Sequence, residues 1–128
     1  ICYATAEVIS VLNKIKPPYN VNELSQKRAL ERLADSNKIN TEIASIIRQR
    51  EELLKVLLNV NFVEKIYPTE ANFILVKVDD ANKRYAELIA KGIVIRNRTM
   101  QPLCDNCLRL TVGTELENRK LMAVLKQL

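Results

Sequence analysis

The chain has 128 residues, the size of a single domain, and its 48% hydrophobic and 27% charged residues form a globular balance that argues against wholesale disorder. The net charge is +5, but the basic residues are interspersed with acids and tryptophan is absent, so no aromatic platform for single-stranded nucleic acid is evident. The absence of histidine excludes His-based catalysis and His-ligated metal sites within these residues.

The start of the chain and its cysteine content suggest where the protein works. Ile1 is not an initiator residue, so we expect a fragment of a longer protein. No apolar run approaches the roughly 18 residues of a membrane helix, and no secretory signal is visible. Three cysteines are an odd number without a disulfide framework, which fits a reducing compartment. We therefore expect a cytoplasmic protein that binds no membrane and no nucleic acid.

The first half of the chain has apolar residues at helical spacing. Pro17 and Pro18 end a first predicted helix, because proline cannot continue it. Asn20 and Glu23 resemble a capping box that opens a second helix. The third predicted helix is long and amphipathic, with its polar residues on the other face. The three predicted helices cover residues 4–15, 20–34 and 38–58.

The second half changes to a mixed pattern of strands and helices. Residues 72–78 are almost continuously apolar, which predicts a central strand covered on both faces. Gly92 stands where the residue after a helix belongs. The predicted strands are 62–67, 72–78, 93–95 and 108–112, the helices are 80–91 and 115–128, and 96–105 is a polar loop. This order predicts an α+β fold: a small, mostly antiparallel sheet with helices on one side, preceded by long helices.

Cys104 and Cys107 form a C-x-x-C motif, which can mark a zinc or a redox site. A zinc site lacks further ligands, since Cys2 is the only other cysteine and there is no histidine. A redox motif of the usual kind begins a helix, whereas this one precedes a predicted strand. We therefore interpret the two cysteines as incidental.

The arginines near the end of the chain are better candidates for chemistry. Strand alternation places Leu108 and Leu110 on one face and Arg109 on the other. An arginine presented by a packed strand offers a fixed fork to a carboxylate or a phosphate. Arg96 and Arg98 end the neighbouring predicted strand and can converge on the same anion. The competing interpretation is that all three are surface residues of a half-exposed sheet.

No complete catalytic apparatus is visible. Serine and cysteine lack the usual histidine partner, and Gly92 and Gly113 form no glycine-rich phosphate loop. On its own residues, the chain does not look like a complete enzyme.

Four sequence blocks, in order and spanning nearly the whole chain, resemble the C-terminal part of the histidinol-phosphate aminotransferases. This family belongs to the fold-type-I, class-II aminotransferases that use pyridoxal 5'-phosphate. The blocks are KPPYNV (16–21), EANFILV (70–76), GIVIRNR (92–98) and LRLTVGT (108–114). The resemblance implies that residues 1–20 end the large cofactor domain and connect to the small C-terminal domain at 21–128. It also implies that the Schiff-base lysine and the rest of the cofactor site lie upstream, so the chain alone would be inactive.

The resemblance assigns substrate roles to a few residues. Arg109 matches the arginine that grips the carboxylate of glutamate or 2-oxoglutarate and, in the other half-reaction, the phosphate of histidinol phosphate. Arg96 matches a second arginine near that end of the substrate. Asn20 matches a residue where the chain passes between the domains. Arg98 has no clear counterpart. The implied reaction converts L-histidinol phosphate and 2-oxoglutarate to imidazole-acetol phosphate and L-glutamate.

The family is dimeric, which implies a homodimer for the parent protein. Two alternatives remain open from the sequence. One is a related enzyme that recognises phosphate, such as a threonine-phosphate decarboxylase, because upstream residues decide the reaction. The other is a non-catalytic α+β module that binds anions or nucleic acid.

Overall fold

A computed structural model describes residues 2–18 and 21–128 of the chain. The chain divides into two compact units, Ile1–Ile39 and Asn40–Leu128. The domain boundary expected at residue 20 stays a prediction. Across the described residues, no helix is both long enough and apolar enough to cross a bilayer.

The first unit contains two helices, α1 (Ala6–Ile15) and α2 (Glu23–Leu33). As predicted, α1 ends just before Pro17. The N-cap of α2 is Asn22, whose side-chain oxygen accepts a hydrogen bond from the Ser25 amide at 2.8 Å. The capping box predicted at Asn20 and Glu23 is therefore wrong in its position, and Asn20 itself lies outside the described residues. Neither helix buries a side chain.

The second unit is built on a small antiparallel sheet. In its described residues the strand order is β1-β2-β4-β3, with every neighbouring pair antiparallel. The strands are β1 (Val63–Ile66), β2 (Phe73–Val78), β3 (Arg96–Asn97) and β4 (Cys107–Thr111). The helices are α3 (Ser36–Leu57), which belongs to this unit from Asn40 onward, α4 (Ala81–Ala90) and α5 (Glu115–Leu125). The predicted α+β class with a small antiparallel sheet is confirmed.

One face of this sheet carries the hydrophobic core. Alternate residues of β2 and β4 point into it and meet side chains from all three helices. The buried members include Ile74, Val76, Val78, Leu108, Leu110, Leu53, Leu57, Leu88, Leu121 and Leu125. On the other face, Phe73, Leu75 and Lys77 are only half-buried. The prediction that β2 is covered on both faces is therefore wrong, because helices pack on one face only in this unit.

The strand predicted at 93–95 lies instead at β3, inside the segment expected to be a polar loop. Ile93 and Ile95 are buried and Val94 is 82% exposed, so the segment has the alternation of a strand. However, a cavity of about 480 Å³ lies between residues 92–95 and Thr111. Residues 93–95 make no ladder pair, and pairing begins only where Arg96 meets β4.

A buried amide joins the end of β4 to two helices. The Asn118 side chain, 1% exposed, donates to Gln49 Oε1 at 3.1 Å and to the Gly113 carbonyl at 3.0 Å. Its oxygen accepts from the Gly113 amide at 3.0 Å. The next residue, Thr114, caps α5 in a reciprocal capping box with Glu117. These bonds fix the turn that follows the strand carrying Arg109.

Candidate anion-binding site

The sheet face opposite the core brings two of the predicted arginines together. Arg96 of β3 and Arg109 of β4 are direct partners in the antiparallel ladder. Residues directly opposite in such a ladder project to the same face, with Cβ atoms about 4.5–5.5 Å apart. Two positive side chains therefore stand side by side, and such a like-charged pair is unfavourable without a counter-ion.

Arg109 is held on an aromatic ring and lacks a full set of partners. Its guanidinium carbon lies 5.1 Å from the centroid of the Phe73 ring, a cation–π distance. Phe73 reaches it because Leu75 is the direct partner of Arg109 and Phe73 lies diagonally across β2. The Arg109 Nε is buried and has no hydrogen-bond partner among the described residues. A buried, unpaired donor in a native structure needs a partner such as a ligand or water.

Further cations extend this face toward the edge of the sheet. Lys77 is the direct partner of Cys107, and Lys65 is the direct partner of Lys77. The carboxylate of Glu64 lies 3.9 Å from the Lys77 ammonium and offsets part of that charge. No carboxylate of the described residues forms an ion pair with Arg96 or Arg109, and we take these two adjacent residues as the candidate anion site.

The arrangement suits a carboxylate or a phosphate. An arginine guanidinium presents parallel N–H donors that bind either anion in a bidentate way. The Phe73 ring and the strand backbone restrict where the Arg109 fork can point, so less side-chain entropy is lost on binding. The site can bind and orient an anion, and none of these groups is placed to transfer a proton.

The remaining predicted residues behave differently. The Arg98 amide donates to the Cys107 carbonyl at 2.8 Å, which extends the contact of β3 with β4, and its side chain is half-buried. Asn20 lies outside the described residues, so its role stays a prediction. The sequence alone assigns no role to Phe73, although a phenylalanine two residues before the partner of Arg109 is a usable signal once the strand register is known.

Cys104 and Cys107 lie at the start of β4, next to Tyr67. Burial raises the pKa of the Cys107 thiol, and the Tyr67 hydroxyl and the Lys77 ammonium act in the opposite direction. Desolvation also raises the pKa of Tyr67, and both thiols raise it further. The cysteines therefore adjoin the cationic face, although neither contacts the Arg109 side chain through any hydrogen bond in the described residues.

Comparison with known proteins identifies the family. The family model for aminotransferase class I and II matches residues 1–125. The chain belongs to the class I and II aminotransferases. The resemblance inferred from the four sequence blocks is thereby confirmed at the level of the family.

Named relatives make the similarity more specific. The histidinol-phosphate aminotransferase of Flavobacterium johnsoniae is 76% identical over 128 residues, which cover all of this aminotransferase chain and 37% of that protein. The histidinol-phosphate aminotransferase structure from Clostridium acetobutylicum matches with a TM-score of 0.84 at 26% identity, over 94% of this chain and 37% of that one. The chain thus spans little more than a third of the length of the relatives it matches.

A protein with another activity has a similar fold. The structure of L-threonine-O-3-phosphate decarboxylase from Porphyromonas gingivalis matches with a TM-score of 0.78 at 17% identity, over 97% of this aminotransferase chain and 39% of that one. Similarity at that identity concerns the fold alone, because one fold can host different reactions.

Proposed function

We propose that the chain supplies the substrate-anion site of an enzyme that transfers an amino group between L-histidinol phosphate and 2-oxoglutarate, giving imidazole-acetol phosphate and L-glutamate. The observation that carries the proposal is the Arg96–Arg109 pair, with a buried Arg109 Nε that lacks a partner. The printed name of the 76% identical relative supports this choice of substrate.

One arginine pair can serve both half-reactions. L-Histidinol phosphate has no α-carboxylate, so its phosphate is the anion that can be held at this end of the substrate. Glutamate and 2-oxoglutarate present a carboxylate there instead. A planar fork accepts both groups, and the second arginine neutralises part of the larger phosphate charge. The role of Arg109 and Arg96 is therefore binding and orientation, which lowers the barrier by fixing the substrate before reaction.

The cofactor of this family is generally pyridoxal 5'-phosphate, which supplies the electron-sink chemistry when bound. A lysine that forms a Schiff base needs a desolvated site that makes it reactive. Among residues 2–18 and 21–128, no lysine is buried, and Lys77 alone is half-buried. The described residues therefore do not fit the cofactor's anchor. We place that anchor in a large domain outside these 128 residues and expect the isolated chain to be inactive.

The proposal includes the assembly and location of the parent enzyme. We place the boundary between the large and small domains near residue 20. We also propose a cytoplasmic homodimer, which rests on the family resemblance and on the reducing compartment suggested by the cysteines. Sedimentation of the full-length protein tests the dimer, and a monomer that retains full activity would contradict it.

The test is steady-state kinetics of the full-length protein with Arg109→Ala. Loss of a bidentate, charge-assisted pair costs about 2–5 kcal/mol, so we expect kcat/KM to fall about 30-fold to several thousand-fold for both substrates. Arg119→Ala is a matched control, because the Arg119 side chain is 70% exposed and pairs with Glu115 on α5. We expect that control to retain activity.

Three results decide between the alternatives. An unchanged kcat/KM in the Arg109 variant means that Arg109 does not bind substrate. Release of CO₂ from O-phosphothreonine, without amino transfer from histidinol phosphate, assigns the decarboxylase reaction that the same fold supports. Anion binding without turnover of either substrate, in protein saturated with cofactor, assigns a non-catalytic module.

A further inference from the structure

A tight turn immediately before β4 carries Cys104 and Cys107, whose sequence context alone indicates no function. The Cys107 amide donates to the Cys104 carbonyl at 3.0 Å, which closes a four-residue turn. The third residue, Asn106, has φ of +52°, as in a type II turn, where asparagine is tolerated. The Cα atoms at the ends of such a turn lie less than about 7 Å apart. Disulfides span Cα distances of about 4.4–6.8 Å, so the backbone is already within bridging range.

The two thiols also share one neighbour, Tyr67. The electrostatic effects of both Cys104 and Cys107 reach the Tyr67 hydroxyl, and the two cysteines affect each other. Both thiols therefore lie close enough to the Tyr67 hydroxyl to interact with it electrostatically. The Cys107 thiol donates to the Asp105 carbonyl at 3.5 Å and also hydrogen-bonds with the Tyr67 hydroxyl.

From this geometry we infer that Cys104 and Cys107 form a dithiol site that closes into an intramolecular disulfide when it meets a small-molecule disulfide such as glutathione disulfide. Cys104 is half-buried, whereas Cys107 is 1% exposed. Cys104 is therefore the thiol that an outside reagent reaches, and Cys107 is the thiol that completes the bond from within.

The reaction is an ordinary exchange of thiols and disulfides. The Cys104 thiolate attacks one sulfur of glutathione disulfide, and the first glutathione leaves as its S–S bond breaks. The Cys107 thiolate then attacks the Cys104 sulfur and displaces the second glutathione. In total the two cysteines lose two electrons and two protons, and one glutathione disulfide is reduced to two glutathione molecules.

The test uses the protein under native conditions and reads a single peptide. Trypsin cleaves after Arg98 and Arg109, so residues 99–109 hold both cysteines and exclude Cys2. The protein is equilibrated natively in glutathione buffers of increasing oxidising strength, then unfolded in guanidinium with excess N-ethylmaleimide so that every remaining thiol is labelled, and digested. We expect this peptide to carry two labels in reducing buffer and none in oxidising buffer. The oxidised peptide should be lighter by two hydrogens than the unlabelled, reduced peptide. The preformed turn should make oxidation at least about tenfold more favourable than in the same protein unfolded in guanidinium, a shift of about 30 mV.

Two variants test the order of attack. With Cys107→Ser, Cys104 should accumulate one glutathione adduct, because no second thiol can displace it. With Cys104→Ser, the buried Cys107 should stay free of glutathione in the native protein. Equal reaction of both variants would overturn the assigned order. A wild-type peptide that keeps both labels in pure glutathione disulfide, or that oxidises no more readily than in the unfolded protein, would overturn the site itself.

Discussion

Replacing Asn118 with leucine removes the amide that joins α5, α3 and the turn after β4. The change keeps a branched side chain of similar shape but deletes three hydrogen bonds, two to Gly113 and one to Gln49. Gln49 is 2% exposed, so its carbonyl oxygen cannot recover a water partner. A buried polar group left without a partner costs about 1–3 kcal/mol.

Gly113 is only half-buried, so water can replace part of what its amide and carbonyl lose. Each of those two bonds then contributes about 0.5–1.5 kcal/mol. Adding the cost at Gln49 to these two bonds, we expect the free energy of unfolding to fall by about 2–6 kcal/mol for Asn118→Leu. That is a large fraction of the stability of a typical domain.

Urea unfolding of the protein measures this loss. Lys120→Leu, on an exposed position of the same helix, is the control and should change stability by less than about 0.5 kcal/mol. Adding Gln49→Met to Asn118→Leu removes the Gln49 carbonyl that the single variant leaves without a partner. The double variant should therefore lose less stability than the two single variants lose together. A loss below about 1 kcal/mol for Asn118→Leu, or strict additivity in the double variant, would refute the assigned role of the network.

Three further changes follow from local geometry. Arg84 lowers the pKa of Asp79 from 3.8 to about 2, so the carboxylate stabilises the fold above about pH 4 and this stabilisation is lost as pH falls toward 2. In Asp79→Asn the free energy of unfolding should therefore depend less on pH between pH 4 and 2. The same pH dependence as in the wild type would contradict the pairing. Thr114→Ala removes the cap of α5 and should cost about 1 kcal/mol in thermal unfolding, with an unchanged Tm as the contrary result. Gly92→Ala imposes a side chain at φ of +74° and should cost about 1–2 kcal/mol in urea unfolding; no loss would mean that the backbone relaxes.

The sequence predicts which face of a strand each side chain lies on better than it predicts which residues pair across strands. Alternation along β4 predicts that Arg109 lies on one face of the sheet and that Leu108 and Leu110 lie on the other. The structure agrees, because the direction of a side chain depends only on the local period of the strand. The direct pairing of Arg109 with Arg96 depends on where the ladder starts. Residues 93–95 stay outside that ladder although they alternate like a strand, and no local pattern encodes where pairing begins.

Buried polar residues were the second kind of feature beyond the reach of the sequence. The polar positions of the long third helix were all assigned to its exposed face, since most polar side chains are solvated. Gln49 is instead buried, because Asn118, 69 positions later, meets its amide. Such a pair becomes visible only when the packing of both helices is known. The same applies to the turn at Cys104, whose left-handed Asn106 is not evident from residue type alone.

The proposed anion site at Arg96 and Arg109 would also link ligand binding to folding. The β3 strand has only two residues in the ladder, and one of them faces a like charge. A bound anion neutralises that repulsion, so the edge of the sheet becomes more stable whenever the site is occupied. Binding to the folded state alone adds a stabilisation that grows with the logarithm of ligand concentration. The amount of folded protein in a cell would then follow the supply of the proposed ligand.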